Sequence, residues 1–453
     1  MKKGMFFALA ASSLLFSACS SDDAVVSTVG QNEAVQQIVL QVASSGDGLT
    51  TRAGRPLYSS QALQTIQNVR VVIYNATTKA IVKDAKLNWK ESTTYTTNGH
   101  GRQFTLSLKG DQRLEEGNYK VMAVGYSDNS DYIYALNVAG TADLTGSTYS
   151  DITATLKADK AAEEVFAGDA DLKINADKKI TNLTTGEEDG VAVTLHRQVA
   201  GSFGYFQNIP ASVNGKTAKT LRLVVRDKND MLTFKDFNSS FTANGATGST
   251  VKYYVNGSKS ASAATTDAQF KDGDKGYVLY SIDLNTWFPG GDQNNDGVLN
   301  AEDTNWKHAD GVKTQVVKGS VFGSSFVIPF KLTSGKSTME LQLLDDADNI
   351  IKKWTVSIPE SDVNSDATGG NVADENASIF NVVRNHMYNL GVKTSTGTTT
   401  TPDPSNPDPD PNKPDPDKPD PGKDEPEDLT KSQNLILKVN DNWEAIHKLE
   451  LGD

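Results

Sequence analysis

The sequence predicts an all-β protein: two β-sandwich domains followed by a C-terminal strand extension. Three observations carry this. Hydrophobic residues make up 37% of the 453, and Thr, Ser, Asn, Asp and Gly are abundant, which suits short strands and polar turns better than long helices. Apolar runs recur at short spacing, punctuated by Gly, Asn and Asp. After a Pro/Asp-rich stretch, the chain ends in one more alternating segment.

The N-terminus is a targeting segment. Lys2 and Lys3 precede an apolar run, Gly4 to Phe16, too short to span a bilayer comfortably. Phe16-Ser17-Ala18 then leads to Cys19, the only cysteine. Small residues before a cysteine resemble the lipobox of bacterial lipoproteins, with Phe16 where Leu is usual. Residues 1–18 are therefore expected to be a lipoprotein signal peptide and Cys19 the lipidated residue, held in the outer membrane by its acyl chains. Ser20-Ser21-Asp22-Asp23 resembles the acidic export tag of surface lipoproteins in Bacteroidetes-type bacteria. With one cysteine, the chain has no internal disulfide.

Residues 19–52 read as a propeptide. Within it Ile38, Leu40 and Val42 alternate with less apolar neighbours, the pattern of one strand. The loop from Ser44 to Pro56 holds Arg52-Ala53, an accessible site for an arginine-specific protease; Arg55 is followed by Pro56, a bond most such proteases avoid. Residues 53–198 carry strand patterns at Val69–Asn75, Arg102–Gly110 and Gly117–Asp128, and read as the first sandwich. Residues 199–395 continue with Leu221–Asp227, Gly276–Leu284, Ser324–Leu332, Met339–Asp345 and Lys352–Pro359, and read as the second.

Inside the second domain, Asp292-Gln-Asn-Asn-Asp-Gly-Val-Leu-Asn-Ala-Glu-Asp303 matches a calcium loop. Asp292, Asn294, Asp296, Val298 (through its carbonyl), Asn300 and Asp303 fall at the ligand positions, and Gly297 at the sharp turn. No flanking helices are evident, so a structural calcium bracing a surface insertion is the expectation.

Residues 396–428 form a linker holding ten of the fifteen prolines, an extended spacer by composition. Between Pro402 and Asp428 there are ten acids and three lysines, so −7 of the net −13 lies here. The acidic balance argues against nucleic acid as a partner. Residues 429–453 then alternate: Leu435, Leu437, Val439, Trp443, Leu449 and Leu451 share one face, interrupted by Asp441 and His447. A lone strand is unstable, so this one must join a sheet, its own or another molecule's. Leu435-Ile-Leu-Lys-Val439 also repeats the pattern of Ile38-Val-Leu-Gln-Val42, so both strands could fill one groove.

No catalytic pattern stands out. His100, His196, His308, His386 and His447 share no metal spacing, and no HExxH, GxSxG, Walker or dinucleotide signature is present. The expectation is a non-enzyme.

Taken in order, the lipobox, the propeptide strand, Thr50-Thr-Arg-Ala-Gly54, two β domains and a C-terminal strand resemble the fimbrillins, subunits of type V pili in Bacteroidetes. Val193–Phe206 (VTLHRQVAGSFGYF) is similar to the family's strand near the domain junction. Val382–Val392 (VVRNHMYNLGV) is similar to its closing strand, and Asn442-Trp443 to the tryptophan-bearing end of stalk subunits. The resemblance implies transthyretin-like sandwiches and a fimbrial stalk subunit on the cell surface. It implies cleavage after Arg52, which releases lipid and first strand together, and a groove that accepts the tail of another copy or of a related pilus subunit. The other reading from the residues is a monomeric, surface-anchored lipoprotein that binds glycans or host molecules.

Overall fold

Within Asn68-Val-Arg-Val-Val-Ile-Tyr74, Val71 to Tyr74 are apolar at consecutive positions, which a strand sustains only when both of its faces are covered. That requirement organises the first half of the molecule. The structure, a computed structural model, describes residues 35–42, 66–94, 102–158, 160–181, 190–225, 229–234, 257–259, 277–309, 316–328, 339–357, 387–391, 424–431, 434–436 and 438–440.

The chain begins with β1 (Gln36–Val42), β2 (Asn68–Asn75), β3 (Ile81–Asn88), β4 (Thr93–Thr94) and β5 (Arg102–Leu108). Then come β6 (Gly117–Tyr126), β7 (Tyr132–Tyr134), β8 (Ile152–Leu156), β9 (Phe166–Ile174), β10 (Ile180–Thr181) and β11 (Val191–Arg197). β12 (Ala200–Gln207) leads to three short strands, β13 (Ile209–Pro210), β14 (Ser212–Val213) and β15 (Lys216–Thr217). β16 (Thr220–Val225), β17 (Asn229–Phe234), β18 (Gly257–Lys259) and β19 (Tyr277–Asp283) precede a one-turn helix, α1 (Leu284–Trp287), and β20 (Val298–Leu299). β21 (Ser320–Val327), β22 (Met339–Leu344), β23 (Ile350–Ser357) and β24 (Met387–Leu390) follow. The last are β25 (Glu427–Asp428), β26 (Asn434–Ile436) and β27 (Lys438–Asn440).

The first body is built on a sheet of order β3-β2-β6-β9-β11-β1-β5-β4. β9 and β11 pair only at their ends, His196 against Ala167 and Arg197 against Phe166. Beyond that joint the β11-β1-β5 part folds over the β2-β6-β9 part. Val69, Val71 and Ile73 of β2 and Val121 of β6 face Ile38, Leu40, Val193 and Leu195 in one core. Their neighbours Val72, Tyr74, Met122 and Val124 face a second sheet, β18-β17-β8-β7, in another core. The β2-β6-β9 layer is thus covered on both faces, which accounts for consecutive apolar residues such as Val71-Val72-Ile73 and Val121-Met122-Ala123-Val124. Arg70, the one charge within the β2 run, is buried against the Asp84 carboxylate and donates to the carbonyls of Gly140 (2.7 Å) and Ala142 (2.6 Å).

The second body is a sandwich of β21-β12-β24-β27 on β19-β16-β22-β23-β26. Between them lie Phe203, Tyr205, Leu221, Leu223, Trp287, Leu341, Trp354 and Tyr388. All-β architecture follows the sequence expectation. The boundary at 198/199 does not divide the strands cleanly: β17 pairs with β8, so residues 229–234, with β18 beside them, belong to the first body. The second body in turn extends past residue 395, taking in β25, β26 and β27.

Candidate functional site

The most informative feature is where β1 lies. It is an interior strand, antiparallel to β5 on one side (Ile38 opposite Leu106, Leu40 opposite Phe104) and parallel to β11 on the other (Ile38 opposite Val191, Leu40 opposite Val193). Ile38 and Leu40 are fully buried, while Val39 is half-buried and Gln37 exposed. Alternation thus aims Ile38 and Leu40, two of the three alternating residues, inward. Val42 continues the ladder opposite Leu195. An interior strand joined to the rest of its sheet by one long connection is separable in principle. Its removal would leave β5 and β11 with unpaired edges and the first core open.

The sequence reading missed Gln36. It falls on the same inward face, two residues before Ile38, and is 2% exposed. Its side chain behaves as a peptide group. Nε2 donates to the Leu114 carbonyl at 3.0 Å and to the Lys178 carbonyl at 2.9 Å, and Oε1 accepts from the Leu114 N–H at 2.8 Å. The available signal was positional: a polar residue that continues the inward parity of a strand must find partners.

The wall of the slot is fixed by a second buried polar device. Arg197, at the joint where β11 leaves β9, donates from Nε to Glu164 Oε1 at 2.9 Å, with both side chains fully buried. The guanidinium also sits 5.2 Å from the centre of the Phe166 ring. Gly168 is required nearby, because a Cβ there would stand 1.9 Å from the Thr194 carbonyl oxygen.

The C-terminal segment differs from expectation. It is not a single strand displayed beyond a tether. β24 and β25 both run parallel to β12 along its one edge free of β21, Leu390 opposite Gly204 and Glu427 opposite Phe206. They form one strand line, interrupted at Tyr205. Gly391, at a positive φ of 75°, turns the chain out there; a Cβ on it would lie 3.2 Å from the Glu425 carbonyl oxygen. The Pro/Asp-rich stretch therefore leaves and returns at the same point. Tyr205 marks that point, donating from its hydroxyl to Asp424 (3.2 Å). Leu429 and Leu435 are fully buried in the second core. β26 then pairs parallel to β23, and β27 pairs antiparallel to β24 on the opposite sheet. Val439 lies opposite Tyr388 in that ladder. Leu437, Trp443, Leu449 and Leu451 lie outside the described residues, as do Cys19, Arg52 and Ala53.

The calcium-like loop lies between α1 and β21, with β20 paired to β13. Gly297 has φ +87°, as the sharp turn demands. Asp292 Oδ2 accepts from the Gly297 N–H (2.8 Å), Asn294 Oδ1 from Asp296 N–H (3.0 Å) and Asp296 Oδ1 from Val298 N–H (2.8 Å). Asn300 donates from Nδ2 to Asp296 Oδ2 (2.8 Å); this bond first, then that from Val298, holds the Asp296 carboxyl below its ordinary range. Asp292 Oδ1 is buried without a hydrogen-bond partner. Asp303, fully buried, gives both oxygens to backbone N–H groups, Oδ1 to Gln293 (2.8 Å) and Oδ2 to Asn300 (2.9 Å). Among the described residues, no group of three His, Cys, Asp or Glu side chains is arranged to hold a metal ion. His308, the one histidine whose side chain is described, stands beside Trp287, 5.3 Å between ring centres.

No protein-family model matches the chain, and no curated protein matches it in sequence. The solved structures it resembles include fimbrial proteins, candidate adhesins and candidate polysaccharide-binding proteins. A candidate adhesin from Bacteroides ovatus covers 79% of this chain and 90% of its own, at 10% identity and a TM-score of 0.37. The fimbrial anchor protein Mfa2 from Porphyromonas gingivalis covers 79% and 90%, at 9% identity and TM-score 0.33. A fimbrial assembly protein from Parabacteroides distasonis covers 80% and 93%, at 13% identity and TM-score 0.31. With TM-scores below 0.5 these superpositions are loose, and by themselves they assign no function.

Proposed function

We propose that this chain is a structural fimbrial subunit of the cell surface, anchored at first by lipid on Cys19 and joined to its neighbours by strand exchange once an arginine-specific protease has cut after Arg52. The observation that carries the reading is β1. It is an interior strand that brings two fully buried side chains to the first core, yet it precedes the predicted cleavage site. Cutting there would free it, and the vacated slot would accept an added strand through both edges. The tail of another copy repeats the β1 pattern, and a head-to-tail contact that does not close makes a filament. The role is structural rather than enzymatic.

The docking of β26 and β27 on the chain's own second body favours the other reading, a monomeric surface lipoprotein. Digestion of the purified chain with an arginine-specific protease separates the two. Strand exchange expects a product beginning at Ala53 that sediments as polymers, and Leu437→Asp, at the position aligned with Leu40, abolishes them. A digested product that stays monomeric supports the second reading.

We also propose that the loop from Asp292 to Asp303 takes calcium as a structural ion. The buried, unsatisfied Asp292 Oδ1 supports it; Asp303 would have to release backbone partners to contribute. Titration calorimetry should show binding at millimolar calcium or below, lost in Asp292→Ala; no heat at millimolar calcium contradicts it.

A further inference from the structure

We infer that the backbone of Leu114 and Lys178 forms a carboxamide-recognition pocket that sets the register of whichever strand fills the β1 slot, and that in an assembled pair its occupant is Gln433 of a second copy. This rests on the strand-exchange reading above.

The match between the two strands extends beyond their apolar residues. Gln36-Gln-Ile-Val-Leu-Gln-Val42 aligns position by position with Gln433-Asn-Leu-Ile-Leu-Lys-Val439. Inward-facing Gln36, Ile38 and Leu40 correspond to Gln433, Leu435 and Leu437, and Val42 aligns with Val439. The carboxamide recurs two residues before the first core side chain, the spacing at which Gln36 meets its three backbone partners.

The pocket supplies information that alternation cannot. A slip of one residue turns every apolar side chain outward and is rejected by burial alone. A slip of two keeps the inward parity, so alternation alone does not reject it. In one such slip the pocket would receive Leu435, leaving the Leu114 N–H and two carbonyls without partners; in the other it would receive Lys431, a cation with no carboxylate among those three groups. Only the in-register strand offers one acceptor and two donors on a neutral side chain.

The slot is also the better berth for this segment. Among the described residues of its own chain, the segment pairs in two short pieces, with β23 at 434–436 and β24 at 438–440. In the slot, one continuous stretch would pair on both sides, as β1 does with six residues against β5 and five against β11.

The test uses the full chain with Gln433→Leu, Gln433→Asn or Leu437→Asp, each digested after arginine, with polymer growth followed by light scattering. Gln433 and Leu437 lie outside the described core, so folding of each variant is checked by its melting temperature. Gln433→Leu should slow growth on the order of tenfold or more, since it leaves buried groups unpaired. Gln433→Asn, which keeps the amide on a shorter stem, should fall between. If Leu437→Asp blocks growth while Gln433→Leu grows like the unaltered chain, the pocket assignment is overturned and strand exchange stands. If Leu437→Asp grows normally, strand exchange itself fails, and the pocket assignment with it.

Discussion

At the scale of single residues, the buried polar groups decide which strand goes where. Gln36 satisfies two carbonyls and one N–H that no apolar side chain could. Gln36→Leu should therefore destabilise the uncut chain by about 1–3 kcal/mol, measured by urea denaturation, with faster hydrogen exchange in β1 and β5. Asp428 acts comparably where the chain rejoins the second body. Burial raises its pKa, but hydrogen bonds from Thr430, Lys431 and Asn208 outweigh this and hold the carboxyl well below its ordinary value. A depressed folded pKa means that this contribution is complete above the unfolded value, near 4, and is lost only as pH falls below it. Asp428→Ala should cost about 1–2 kcal/mol at pH 7 and progressively less in strong acid, as thermal melts across pH would show. None of this was visible in composition. Ile38 and Leu40 were legible because period-two alternation names core residues directly; Gln36 was not, because a polar side chain at a strand's start looks like surface until its partners are seen.

At the scale of elements, the strands were readable and their partners were not. Apolar runs placed β2, β6, β16 and β22 closely, since a covered strand must be apolar. Nothing in the residues of β17 says that it returns to β8 in the first body; pairing across that distance depends on topology. The Pro/Asp-rich stretch shows the same limit. Its composition predicts an extended spacer, but composition does not reveal that its two ends meet on β12. This yields a prediction. Deleting residues 392–423, so that Gly391 joins Asp424, should leave both bodies folded and raise stability. Shortening a 32-residue loop to a few residues removes about 2–3 kcal/mol of closure entropy. A calorimetric melt unchanged or shifted upward is the expected result; loss of the second body's transition would show that the ends are not joined as described.

At the scale of the whole molecule, each body takes in a strand from an outlying part of the chain. The N-terminal one closes the first body from ahead of the predicted cleavage site, and the C-terminal one rests on the edges of the second. On the proposed strand exchange, the second takes the place of the first in a neighbouring copy. Val39 lies opposite Thr105 on β5, and Ile436 aligns with Val39. Cysteines at opposed strand positions are close enough to form a disulfide. In the uncut chain, Val39→Cys with Thr105→Cys should form an internal disulfide, which verifies the geometry. The deciding measurement mixes Ile436→Cys chains with Thr105→Cys chains and asks for a disulfide between copies under mild oxidation. A cross-linked pair is expected after arginine-specific digestion and none before it. A digested mixture that begins at Ala53 and yields no such cross-link would contradict strand exchange.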